Sequence, residues 1–180
     1  MAVRAVYTTD LQPGELAALR DLLEAAWAEE DDGFTEQDWE HTIGGVHFLF
    51  EDEGGEIRSH ASVVERELQA GDHHLLTGYV ESVATPPAHR GRGMASAVMR
   101  EVGAHIDQRF PLGALDTAIP GFYEPLGWVV WRGPTFVRTE TGLLRTAEED
   151  GGVMVRPTPT SPPLDLDAPI SCDWRLGDVW

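Results

Sequence analysis

The segment Arg90-Gly91-Arg92-Gly93-Met94-Ala95 sets two glycines and two guanidinium groups within six positions. It follows a β-prone run, Gly78-Tyr79-Val80-Glu81-Ser82-Val83-Ala84-Thr85, which Pro86-Pro87 halts. It precedes a stretch carrying Val98, Val102 and Ile106 at helical spacing. Strand, glycine turn and helix start together make an anion site. The first N–H groups of a helix have no partner within it and point outward at the positive end of its dipole. A diphosphate is held there when no side chain intrudes. Gly91 and Gly93 remove the side chains and permit left-handed angles, while Arg90 and Arg92 add charge-assisted donors. Ser96 stands where a dinucleotide fingerprint needs its third glycine, so the segment is not that motif.

Other chemistries are excluded by residue type. All thirteen basic residues are arginine, so neither a Schiff-base lysine nor a Walker-type phosphate loop is possible. Cys172 is the only cysteine, which rules out an intrachain disulfide and a multi-cysteine zinc cluster, and it reads as a small packing residue. His73-His74 lacks a third ligand, and no metal is expected. Thirteen basic against 31 acidic residues give a formal charge of −18 and a pI near 4.5. Such a field repels nucleic acid and anionic membrane and attracts a cationic small molecule, although acidic surfaces also serve solubility.

The elements that must position these groups follow from periodicity. Residues 2–8 read as a strand. Pro13 opens a helix through Leu16, Leu19, Leu22, Leu23, Ala26 and Trp27. Thr35 and Asp38 form a variant capping box for a short second helix that Gly44-Gly45 ends. Strands are predicted over 46–50, 57–68 and 73–85, then a helix from Met94 and a strand over 112–115. Phe122-Tyr123 falls in a helical turn, Val129–Trp131 in a strand, and 153–155 in the last regular strand. Residues 156–180 read as an extended tail. One domain, 1–180, is expected, with no repeat: α/β or α+β, a mixed and mostly antiparallel sheet flanked by helices. No apolar run nears the roughly 20 residues of a membrane span, and the start lacks a signal-peptide core, so a cytoplasmic location is expected.

Arg90 to Ala95, as Arg-x-x-Gly-x-Ala, resembles the coenzyme A pyrophosphate motif of the GNAT acetyltransferases. Longer stretches resemble one branch of them, the aminoglycoside 2'-N-acetyltransferases. These are Phe34-Thr35-Glu36, Asp38-Trp39-Glu40-His41-Thr42, Gly78-Tyr79-Val80-Glu81, Leu112-Gly113-Ala114-Leu115, Gly127-Trp128, Gly133-Pro134-Thr135, Cys172-Asp173-Trp174-Arg175 and Gly177-Asp178-Val179-Trp180. They keep order over most of the chain and carry rare tryptophans.

The resemblance implies the GNAT fold, with strands splayed at the coenzyme A site, and acetyl transfer from acetyl-coenzyme A to the 2'-amine of an aminoglycoside, an antibiotic-resistance activity. It implies that Glu81 draws the amine proton through water and that Tyr123 protonates the departing sulfur. Val83, Ala84 and Thr85 would meet the pantetheine arm, and Arg90, Gly91, Arg92, Gly93, Met94 and Ala95 the diphosphate. The acceptor would lie against Asp32, Asp38, Glu81, Ser82, Asp116, Glu149, Asp178 and Trp180 with its terminal carboxylate; Asp31 lies near enough in sequence to contribute. It also implies a homodimer. Three features depart from the family: Gly33 in place of an aspartate, Asp116-Thr117 in place of a serine-rich pair, and a shorter connection to Tyr123. Two other functions stay open. One is a GNAT enzyme for another amine, such as a polyamine, a peptide terminus or a cell-wall amino sugar. The other is a non-catalytic protein that binds cationic drugs.

Overall fold

Residues 2–29 and 33–180 are described by the computed structural model, so Asp31 and Asp32 lie outside the described residues. The chain divides into two compact units, Met1–Val64 with Val80–Val102, and Glu65–Tyr79 with Gly103–Trp180.

In the first unit β1 (Ala2–Tyr7) lies antiparallel to β2 (Val46–Glu51), and β2 antiparallel to β3 (Ile57–Ala70), with a register shift in that pairing between Phe50 and Glu51 of β2. Helix α1 (Pro13–Ala26) buries Leu19, Leu22, Leu23 and Ala26, the i, i+3, i+4, i+7 stripe, in one cluster with Leu11, Leu49 and Ala84. Each buried leucine contributes roughly 1.5–3 kcal/mol. Helix α2 (Glu36–Thr42) starts at the capping box that the sequence predicts. The Asp38 N–H donates to Thr35 Oγ1 (3.2 Å) and the Thr35 N–H to Asp38 Oδ2 (2.8 Å). Strand β4 (His73–Ala84) ends in this unit, and helix α3 (Met94–Arg109) begins in it.

In the second unit α3 ends and β5 (Leu112–Asp116) follows, then α4 (Pro120–Tyr123), β6 (Val129–Val130), β7 (Thr135–Thr139), β8 (Gly142–Arg145), β9 (Val153–Pro157) and β10 (Ile170–Asp173). The strand order is β6-β9-β5-β4-β3-β10-β7-β8. Strands β4 and β5 are parallel, as are β10 and β7, whereas β5–β9, β6–β9, β7–β8 and β10–β3 are antiparallel. The sheet is therefore mixed and mostly antiparallel. The β4–β5 ladder stops at Tyr79↔Ala114, while β4 runs on to Ala84. Ile106 of α3 and Phe110 lie against Gly78, where a Cβ would come within 2.8 Å of the Phe110 ring.

Two sequence readings are corrected. The hairpin β7–β8 was not expected, and residues 153–155 are not the last strand, because β10 lies within the tail read as extended. Strand β10 is four residues long, between Pro169 and Trp174. That is too short to show a period, and its partners β7 and the end of β3 lie far off along the chain.

Candidate active site

The glycine corner lies wholly in the first unit. Gly91 (φ 74°) and Gly93 (φ 76°) are left-handed, and a Cβ at either would meet nothing within 4 Å. The backbone angle, not a lack of room, calls for glycine, and the outer face of the turn is clear. The Ala97 N–H reaches back to the Gly93 carbonyl (3.0 Å). The amides of Met94, Ala95 and Ser96, one step earlier, have no carbonyl behind them in α3. These are the donors an anion would meet.

The arginines do more than the sequence suggests. Arg90 Nε donates to the Thr85 carbonyl (2.9 Å) and Arg90 Nη2 to the Ala26 carbonyl (3.1 Å). Arg92 Nη2 donates to the Ala88 carbonyl (3.3 Å). Both side chains brace the loop, so only their remaining N–H groups face an anion. Before the loop, Ala84 is buried in the core, and its carbonyl accepts from Ser59 Oγ (3.0 Å). Val83 is half-buried.

Glu81 is half-buried on β4 and followed by Ser82, the one non-glycine among the described residues with a positive φ, 49°. That conformation is costly for serine, and bends of this kind cluster at functional sites. The Ser82 hydroxyl meets Thr42 Oγ1, and Thr42 Oγ1 donates to the Asp38 carbonyl (2.7 Å). Asp38 itself accepts both Thr35 hydrogen bonds on Oδ2. One carboxylate oxygen of this expected acceptor residue is thus committed to the helix cap.

The second unit holds the other expected groups. Asp116 at the end of β5, Thr117 and Pro120 line a concavity of ≈ 410 Å³ with Glu148, Glu149 and Gly152. Gly152 permits this approach, since a Cβ there would meet Asp116 Oδ1 at 2.5 Å. Burial pushes the Asp116 carboxyl up from its ordinary pKa, helped by Asp178, although the Thr117 N–H opposes the shift. Burial likewise raises Glu149, with Asp116, Glu148 and Asp178 adding to it. Asp178 thus acts on Asp116, and both act on Glu149. Among the described residues none of the three has an ion-pair partner, whereas nearby Asp150 is paired with Arg145 and pulled down to about 2.

Tyr123 in α4 is 6% exposed, edge-on to Phe122 (4.8 Å) and Trp128 (6.5 Å). Burial pushes its phenol up to about 12; a hydrogen bond with Thr117 opposes this and Asp116 reinforces it. The phenol stays protonated at neutral pH and is a donor.

Sequence reasoning missed what secures the tail. The Trp180 indole is 5% exposed, and its Nε1 donates to Thr146 Oγ1 (3.0 Å). Arg66 Nη2 donates to the Asp173 (3.0 Å) and Val179 (2.8 Å) carbonyls. Arg175 donates to the Asp178 (2.6 Å) and Trp180 (3.3 Å) carbonyls, and Cys172 Sγ to that of Val179 (3.2 Å). Arg66 falls in alternation with Leu68 and Ala70 on the buried side of β3, and that is the signal for it, because a buried guanidinium demands acceptors. Also missed were His47 and His60, both buried in strands. Among the described residues no group of three or more His, Cys, Asp or Glu side chains is placed to hold a metal.

A family model described as an acetyltransferase (GNAT) domain matches residues 8–131. The chain is 43% identical, over 98% of its own length and 91% of the relative's, to an aminoglycoside 2'-N-acetyltransferase of Mycolicibacterium fortuitum. Among solved structures it resembles the Escherichia coli GNAT N-acetyltransferase YhbS in complex with CoA (TM-score 0.63, 12% identity, 94% of this chain and 88% of that one). It also resembles Eis1 of Mycobacterium abscessus (TM-score 0.61, 14% identity), covering 76% of this chain and 34% of that one, so it spans about a third of Eis1. At these identities the solved structures speak to the fold alone.

Proposed function

Because the chain belongs to the GNAT acetyltransferases and, within them, to the aminoglycoside 2'-N-acetyltransferase family, we propose that it acetylates the 2'-amine of an aminoglycoside with acetyl-coenzyme A and thereby confers resistance. The observation that carries this reading is the concavity at Asp116 and Glu149, where burial and neighbouring carboxylates raise both groups and, among the described residues, no cation is paired with either. A polyammonium ligand relieves that repulsion through charge-assisted hydrogen bonds.

Acetyl-coenzyme A, when bound, supplies the thioester. The amides of Gly91 to Ser96 and the remaining N–H groups of Arg90 and Arg92 hold its diphosphate, and the end of β4 at Val83 to Thr85 orients the pantetheine arm. Glu81 accepts the proton lost by the attacking amine, through water. A C–N bond forms and the C–S bond breaks; Tyr123 donates a hydrogen bond to the leaving sulfur, and the thiolate takes its proton in the end from solvent. With a phenol near 12 and a thiol near 8.5, complete transfer from Tyr123 runs uphill by roughly 5 kcal/mol. Tyr123 thus acts chiefly by donating a hydrogen bond to the developing thiolate. An ammonium group bound at Asp116 lessens the charge that raises the phenol, so acceptor binding strengthens the acid. The resemblance to the family assigns the remaining acceptor contacts to Asp32, Asp38, Ser82, Glu149, Asp178 and the Trp180 carboxylate.

The direct test measures thiol release across paired 2'-amino and 2'-hydroxy aminoglycosides, a polyamine and a peptide terminus, with the product mapped by NMR. Turnover confined to 2'-amino acceptors, with acetyl on that nitrogen, is the expected result. Turnover only with the polyamine or peptide favours the other-amine reading, which Asp116 in the place of a serine supports. Drug binding without thiol release would leave a non-catalytic binder.

Two variants probe the second unit. Tyr123→Phe is expected to lower kcat by about 10²-fold at unchanged KM for acetyl-coenzyme A; a full rate would remove the acid role. Asp116→Asn combined with Glu149→Gln should raise the acceptor KM by roughly 10–100-fold while sparing kcat at saturation. An unmoved acceptor KM would place the acceptor elsewhere.

We further propose a cytoplasmic homodimer. Supporting it are the supply of acetyl-coenzyme A, the single buried cysteine, and strand β8 at the end of the sheet order with Leu143 and Leu144 exposed. Among the described residues no helix is long and apolar enough to cross a membrane. Light scattering of the purified chain reads the mass directly. The functional unit in this reading is the whole of 1–180.

A further inference from the structure

A line of polar groups runs through the first unit and ends on one atom. Thr8 Oγ1 lies 2.8 Å from His47 Nε2, His47 Nδ1 lies 3.0 Å from His60 Nε2, and His60 Nδ1 lies 2.9 Å from the Ser82 carbonyl oxygen. The two rings are tilted against each other with centroids 5.3 Å apart, and both residues are 0% exposed. The chemistry of the last atom fixes every donor in the line. A carbonyl only accepts, so His60 Nδ1 bears a hydrogen and, in the neutral ring, Nε2 accepts. His47 must then donate from Nδ1 and accept at Nε2, so the Thr8 hydroxyl shares its one hydrogen between His47 Nε2 and the Gly45 carbonyl (3.2 Å). The Thr8 oxygen in turn accepts the Gly44 N–H (2.9 Å). Each histidine is one tautomer, and the bonds from His47 and from His60 both point towards Ser82.

Ser82 is the residue with φ 49°, next in sequence to Glu81. Its other polar group is tied as well. The Thr42 hydroxyl spends its hydrogen on the Asp38 carbonyl, so the Ser82 hydroxyl must donate to Thr42 Oγ1. A left-handed residue in a strand rotates the peptide plane and re-aims the side chain beside it. Such a conformation persists for serine only where its surroundings hold it, and here the carbonyl and the hydroxyl are gripped from two sides.

We propose that His47 and His60 are positioning residues for acetyl transfer: by holding the Ser82 carbonyl they keep Ser82 left-handed and fix the direction in which Glu81 presents its carboxylate. This deepens the proposed function and rests on Glu81 as the proton acceptor.

The test measures kcat and both KM values for His60→Leu, His60→Asn and Thr8→Val, with His60→Leu also made in the Glu81→Gln background. His60→Leu deletes the bond to Ser82 and is expected to lower kcat roughly 10–100-fold, since small misplacements of a reacting group cost that much, while the KM for acetyl-coenzyme A stays within about twofold. His60→Asn carries an N–H where Nδ1–H stood and should recover most of the rate. In the Glu81→Gln background His60→Leu should cost less than about twofold more, because residues acting through one group are not additive. Thr8→Val, at the half-buried end of the line, keeps the fold even if His60→Leu does not, and should lower kcat about threefold at unchanged KM, an effect within the range that positioning exerts. The proposal is overturned by equal losses in both backgrounds, by a folded His60→Leu at full rate, or, where His60→Leu fails to fold, by Thr8→Val at full rate. A Glu81→Gln enzyme at wild-type rate instead removes the proton-acceptor reading itself, and the single variant reads that separately.

Discussion

Glu81→Gln is expected to lower kcat by roughly 10²–10⁴-fold near neutral pH, the range that general-base removal spans. The change keeps side-chain volume and hydrogen-bonding capacity, so loss of proton affinity is the main variable. The KM for acetyl-coenzyme A should hold, because the corner that would bind the diphosphate is made of backbone amides around Gly91 and Gly93. The deficit should shrink as pH rises, since a growing share of the acceptor amine is then already deprotonated and needs no base. Stopped-time thiol release from pH 6 to 9 measures both effects. A variant that matches the wild type across that range would sink the role.

The second large effect is on stability in acid. Burial pulls His47 down to about 4 and, with the charge of His47 adding to it, pulls His60 down to about 3; the bond to Ser82 only partly opposes this. In the unfolded chain both titrate near 6.5. Between those values the unfolded state binds more protons than the folded one, so stability rises with pH through the window and is lost as pH falls below about 6.5. The shift at His47 alone corresponds to roughly 3 kcal/mol once pH has fallen to about 4. Asp116 and Glu149 act in the opposite sense, because their raised folded values favour the folded state as they protonate. The double variant Asp116→Asn with Glu149→Gln removes that opposition and leaves the window to the histidines. Urea midpoints at pH 7.5, 6.5, 5.75 and 5 should therefore fall progressively below 6.5. In His60→Asn, which removes one of the two titrating rings, the slope should flatten. A wild-type midpoint that is level over the window would refute the linkage.

The acceptor concavity gives the overall negative charge a local meaning. A charge of −18 spread over a surface serves solubility. Asp116 and Glu149 are different, because burial, with the charge of Asp178 adding to it, raises the cost of holding charge at both. Asp150, by contrast, is already satisfied by Arg145 and by the Thr135 N–H and hydroxyl, and carries no such demand.

What the sequence determined by itself is what a short run of residues can build. The anion corner is legible because its donors are consecutive backbone amides, and two glycines with a strand before and a helix after dictate their geometry. The α2 cap is legible for the same reason, since Thr35 and Asp38 close it within one turn, and so is the buried stripe of α1. Tertiary structure alone decided the groups that meet across long separations. Asp116, Glu149 and Asp178 come from a strand end, a 3₁₀ turn and the tail, and only packing brings them near enough for Asp178 to help raise Asp116 and Glu149. His47 and His60 look like unremarkable strand residues until β2 lies beside β3 and the Ser82 carbonyl fixes which nitrogen bears each proton. Propensity and periodicity act over a few residues, whereas a pKa, a tautomer or a left-handed serine is set by whatever the fold brings within hydrogen-bonding distance.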